Sequence, residues 1–175
     1  MAGSIRKAEV GLADEFLADA KSLSGAPPEF GPKQARKKGN FWEAVWPIAN
    51  SLGIVETGQL RIRVSPASDK PFTISLIFRG NCLGRLDFVA DTICHWNPTF
   101  ASSFGLPPSV CGSHFHSWSH NRDYVLLDQE WELPCRVPLP PRIHRFDQAF
   151  PWLADEVNLI LTPDQRAFGP PRELV

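Results

Sequence analysis

Gln59-Leu-Arg-Ile-Arg-Val-Ser65, followed by Phe72-Thr-Ile-Ser-Leu-Ile-Phe-Arg-Gly-Asn-Cys-Leu-Gly-Arg-Leu-Asp-Phe-Val89, decides the fold class. Leu60, Ile62 and Val64 alternate with Arg61 and Arg63. A period of two puts the apolar side chains on one face and the guanidiniums on the other, which is the pattern of a half-buried strand. Residues 71–79 are mostly apolar, Gly80-Asn81 is a turn signal, and Leu83 to Val89 run back. The spacing predicts an antiparallel meander over 59–65, 72–79 and 82–89, with a fourth strand over Thr92–Trp96 ended by Asn97-Pro98.

Outward from this stretch the period changes to that of a helix. Val10, Ala13, Phe16, Leu17, Ala20 and Leu23 predict a helix over 5–24, stopped by Ser24-Gly25 and Pro27-Pro28. Residues 25–40 read as a Gly/Pro/basic connector, long for a compact domain. Residues 41–52 read as a second helix, with Asn40 as its cap, Glu43 at the capping-box position and Gly53 after its end. Pro47 conflicts with that helix, because an interior proline removes a hydrogen bond and clashes with the preceding turn. Past the meander, 97–112 is a loop, 113–119 and 122–128 are two extended segments, Pro134–Pro141 is polyproline-like, and 147–161 is a final helix. The expected fold is α+β: an antiparallel sheet of about five strands packed by two helices. Its organisation is an N-terminal helical arm (1–24), a basic connector (25–40) and a single domain (41–175).

Composition narrows the class. The chain has 175 residues, 17 of them Pro and six Trp, and that much proline argues against an all-helical bundle. The formal net charge of −1 lacks the footprint of a dedicated DNA binder. Locally, Lys33, Arg36, Lys37 and Lys38 cluster without an intervening acid, a solvated loop or a contact for an acidic partner. No apolar run approaches the roughly 20 residues that span a bilayer. Residues 1–12 hold no apolar run and carry Glu9, so a secretory leader is not expected and the location reads as cytoplasmic. The cysteines at 82, 94, 111 and 135 form no Cys-x-x-Cys pair and read as reduced thiols.

The densest chemistry is Cys111-Gly-Ser-His114-Phe-His116-Ser-Trp118-Ser-His120-Asn-Arg122-Asp123-Tyr124, which holds three of the five His. If extended, it puts His114, His116, Trp118 and His120 on one face and Phe115 opposite. Three chemistries fit. Cys111, His114 and His116 have spacings workable for zinc, and Cys94-His95 could add a ligand after folding. His114, His116 and His120 could instead serve as acid and base in RNA cleavage, with Arg122 on the phosphate and Asp123 or Tyr124 orienting a ring. Trp118 and Tyr124, with Lys33, Arg36, Lys37, Lys38, Arg61 and Arg63, could form a binding surface. Against all three stands the plain reading of hydrogen-bonded structural histidines and core aromatics.

Gly112 before His114-x-His116-x-Trp118, followed by Asn121-Arg122 and a C-terminal amphipathic helix, resembles a group of small proteins of unknown function from bacterial genomes and phage or mobile elements. The resemblance spans residues 58–162. It implies an accessory protein, such as a phage inhibitor of a host defence system. The leading expectation is therefore a protein without cofactor that binds a protein or nucleoprotein partner, with nucleic acid reached through local basic patches and no membrane contact. The alternative is a small metal-dependent or His-based hydrolase, a ribonuclease first among them, with zinc as the metal.

Overall fold

The computed structural model describes residues 2–35, 39–65, 72–127 and 131–171. Its centre is the expected meander: β4 (Val55–Val64), β5 (Phe72–Phe78) and β6 (Asn81–Phe88) pair antiparallel in order. Before them come α1 (Ala2–Ala18), β1 (Lys21–Leu23), β2 (Gly31–Ala35) and β3 (Gly39–Ala49). After them come β7 (Cys94–Trp96), a 3-10 helix (Thr99–Phe104), β8 (Ser109–Cys111), β9 (His114–His116), α2 (Trp118–Leu127), β10 (Val137–Pro138), α3 (Phe146–Glu156), β11 (Leu159–Ile160) and α4 (Pro163–Arg166).

The sheet is larger than the sequence suggests. It has nine strands in the order β10-β9-β6-β5-β4-β3-β1-β11, with β2 also on β3, and it curls into a half-barrel. It is mixed, because β1 and β11 run parallel. The expectation of a five-stranded antiparallel sheet with two helices is thus overturned. The extra strands come from segments read as helix, connector or loop.

The largest correction is 41–52: residues 41–49 belong to strand β3 and 50–52 to the turn after it, not to a helix. Ala44, Trp46 and Ile48 alternate into the core while Val45 and Pro47 point away. Pro47 fits here because β2 stops pairing at Glu43 and β1 starts at Ile48, so no partner needs the missing N–H. Its carbonyl still accepts from Ser24 N at 2.9 Å. The helix read over 5–24 ends at Ala18. Lys21, 1% exposed, turns back there and donates from Nζ to the carbonyls of Phe16, Leu17 and Asp19. A cation on the last carbonyls satisfies acceptors that the helix leaves open.

Two further segments differ. The extended run from 113 stops at His116, and 118–127 is helix α2, with Trp118, Asn121 and Val125 buried at helical spacing. The final helix ends at Glu156; Asn158, at φ 54, then turns the chain into β11.

One face of the sheet and the helices build the core. Leu60, Ile62, Ile74, Leu76 and Leu86 are fully buried and share one cluster with Val10, Ala13 and Phe16 of α1 and Phe150 and Leu153 of α3. Phe16 stacks on Phe78 with centroids 4.2 Å apart. Its ring passes over Gly58, where a Cβ would lie 2.7 Å from the ring. Among the described residues, no helix is long and apolar enough to cross a membrane.

Candidate metal centre

The other face of the sheet carries the polar residues. Phe115 fixes this division on β9. Its ring packs edge-on against Trp152 and lies over Gly84, so His114 and His116 turn to the opposite face. On β6, burial of Leu86 does the same for Arg85 and Asp87. The register sets Arg85 beside His116 and Asp87 beside His114. Three ligating groups converge there: Asp87, His114 and His116, with one ligand atom of each within 4.8 Å of the others.

Hydrogen bonds orient both rings. His114 Nδ1 donates to the Gly112 carbonyl at 2.9 Å, and His116 Nδ1 donates to the Leu133 carbonyl. A neutral imidazole that donates from Nδ1 keeps a bare electron pair on Nε2. Both Nε2 atoms face Asp87 Oδ2, at 3.7 Å from His114 and 3.3 Å from His116. Tetrahedral ligands about 2.1 Å from an ion stand about 3.4 Å apart, close to both distances from Asp87.

The electrostatics keep the ligands in their metal-binding forms. Burial pushes His114 down to about 4. Burial lowers His116 as well, with the Arg85 charge adding to it. Burial alone would raise Asp87, but the Arg85 guanidinium and the Thr73 hydroxyl outweigh that and hold the carboxyl well below the usual range. Asp87 Oδ1 accepts from Thr73 Oγ1 at 2.9 Å and Oδ2 accepts from Arg85 Nε at 2.8 Å. Such outer partners orient ligands.

Arg85 Nη2 also donates to His116 Nε2 at 2.9 Å, so a guanidinium supplies the positive charge among the three electron pairs. Its side chain is 41% exposed. Gly112 holds the loop before β9 at φ +78, and a Cβ there would lie 2.7 Å from Asp91 Oδ1.

The other expected residues scatter. Cys111 is bonded to Cys94, which ties β7 to β8 and takes both sulfurs out of the ligand set; Cys82 and Cys135 are the free thiols. The expectation of four reduced cysteines is corrected for that pair. His95, beside Cys94, brings its ring to 5.2 Å from that of His114. His120 lies on α2 against Ser117 and Phe104. Arg122 pairs with Asp14 of α1 at 2.8 Å and with Asp123 at 3.1 Å. Trp118 is buried, donates to Asp14 and stacks on Trp131; Tyr124 stacks on Phe100. These residues fasten α2 to its neighbours. Lys33 is exposed on β2, while Arg36, Lys37 and Lys38 lie outside the described residues. Arg61 and Arg63 both approach Glu43, at 3.7 and 2.8 Å.

Sequence reasoning missed Asp87. Its signal was parity with Arg85 inside an otherwise apolar strand. A cleft of about 510 Å³ between α1 and the β5–β6 turn, lined by Leu12, Glu15, Asp19 and Arg79 among others, shares no residue with the centre. The chain matches no known family, no curated protein and no solved structure.

Proposed function

We propose that Asp87, His114 and His116 bind one divalent transition-metal ion, zinc by its preference for this donor set, and that the protein is a small metal-dependent hydrolase. One observation carries the reading: two imidazoles donate Nδ1–H to backbone carbonyls and turn both Nε2 electron pairs onto one carboxylate oxygen, 3.3 and 3.7 Å away. Three protein ligands leave a fourth position for water, the arrangement of catalytic rather than structural zinc. Held there, zinc would supply a water acidic enough to act as a nucleophile near neutral pH. The chain's own parts are then distinct. Gly112 and Leu133 orient the imidazoles, Thr73 fixes Asp87, and Arg85 is placed to meet negative charge that develops on a substrate.

The residues that the binding-protein expectation named are divided. Trp118 and Tyr124 are engaged within the chain, and most of the basic cluster lies outside the described residues.

Elemental analysis of purified protein, paired with a screen of chromogenic phosphate and carboxylate esters, tests the proposal. The expected result is one zinc per chain and a hydrolytic activity that a chelator removes and zinc restores. Metal-free protein that takes up no zinc on titration refutes it.

A further inference from the structure

We propose that the substrate of this centre is the phosphodiester backbone of a single-stranded nucleic acid, laid across the sheet with its phosphates on arginines and a base on Trp96. This rests on the metal-centre reading. The track follows from the register. Arg63, Thr73, Asp87 and His114 form one cross-strand row, and Arg61, Ser75, Arg85 and His116 the next. At about 4.8 Å per strand, Arg61 and Arg63 stand about 14 Å from the histidines, with Arg85 between. On the far side, Arg136 donates from Nη1 to the Trp96 carbonyl at 2.9 Å. Arginines therefore stand on both sides of the ligand cluster along one line.

Two observations ask for an anion there. Among the described residues, Arg61, Arg63, Arg85 and Arg136 face two acids, Glu43 and Asp87, so positive charge is in excess there before any ion binds. Among the described residues, Arg61 Nε and Arg136 Nε are buried without a hydrogen-bond partner. Arg61 is left over because Glu43 accepts from Arg63 at 2.8 Å. Buried donors are nearly always satisfied, and a phosphate oxygen is among the strongest acceptors for a guanidinium. The third observation selects the polymer. Trp96 is 78% exposed on β7, one residue from His95, whose ring contacts His114. An exposed indole beside a cationic track is the stacking platform of a single-strand binder.

The chemistry is hydrolysis of one ester bond. Water oxygen bonds to phosphorus as the bond from phosphorus to the sugar oxygen breaks. That oxygen leaves with the electron pair and takes one proton, and the second water proton passes to solvent.

The test uses the zinc-loaded full chain with labelled 12-nucleotide oligouridylate and oligothymidylate. Anisotropy follows binding, denaturing gels follow cleavage, and zinc is titrated in parallel. Wild type binds and cuts at least one of the two, which also tells RNA from DNA. Arg61→Gln with Arg63→Gln weakens binding at least tenfold and flattens the slope of log Kd against log salt by about 1.4, with zinc uptake unchanged. Trp96→Ala weakens binding at least fivefold and leaves the slope alone. Zinc-loaded wild type that fails to bind or to cut both oligomers, or variants that bind like wild type, overturn the substrate assignment while the centre stands. Absence of zinc uptake overturns both.

Discussion

Phe115 decides which way two histidines face, and this much is legible in the sequence. A period of two puts His114 and His116 together and Phe115 opposite, and the packing of Phe115 against Trp152 and Gly84 makes the choice of face. The carboxylate that completes the site is not legible in the same way. His116 and Arg85 meet from 31 positions apart, and only the placement of β9 beside β6 brings Asp87 to them. Thr73→Val removes the hydroxyl that fixes Asp87 and should weaken zinc binding about tenfold by calorimetry, with the fold intact. Acid should also act through His114. Its pKa falls from 6.5 to about 4 on folding, so between those values the unfolded chain binds a proton that the folded chain refuses. Its contribution is fully present above pH 6.5 and is lost as pH falls towards 4. Urea titrations in chelator should show that loss, and His114→Gln should reduce it.

At the scale of elements, β3 shows why local pattern alone misleads. Trp42, Ala44, Trp46 and Ile48 fit a strand, while Phe41, Val45 and Ala49 complete an equally good helical face. The deciding signals were the aromatic and β-branched content and Pro47, which a strand tolerates where no neighbour needs its N–H and a helix interior does not. The short strands β1 and β11 have no pattern of their own; they exist because α1 and α3 deliver them side by side. Helix α1 is bound to the sheet by a close approach at Gly58, so Gly58→Ala should destabilise the protein by about 1–3 kcal/mol in denaturant titration as the Phe16 ring is displaced. Lys21 gives α1 a second signature. Burial lowers its pKa to about 8 from 10.5, so the unfolded chain holds the extra proton in that window. The cost of burying the charge is present below pH 8 and is relieved as pH rises towards 10.5. Subtracting the pH profile of Lys21→Met should isolate this rise.

Over the whole molecule, a curled sheet separates two functions of one set of strands. Its apolar face packs α1 and α3, and its polar face carries the ligands, the arginines and the β7–β8 pair that shelters His114. The Cys94–Cys111 bond closes a separation of 17 residues in that cover. By loop-closure entropy it contributes about 3 kcal/mol, so a reductant should lower the melting temperature of wild type and leave Cys94→Ser with Cys111→Ser, already lower, unchanged. The claim on which the functional account turns is that Asp87, His114 and His116 hold a metal ion together. Isothermal titration of zinc into chelator-stripped protein tests it most directly, with wild type beside Asp87→Asn and His116→Ala. One site per chain is expected in wild type and loss of that site in each variant, with circular dichroism unchanged. Wild type that binds no zinc, or variants that bind it as wild type does, would contradict the account.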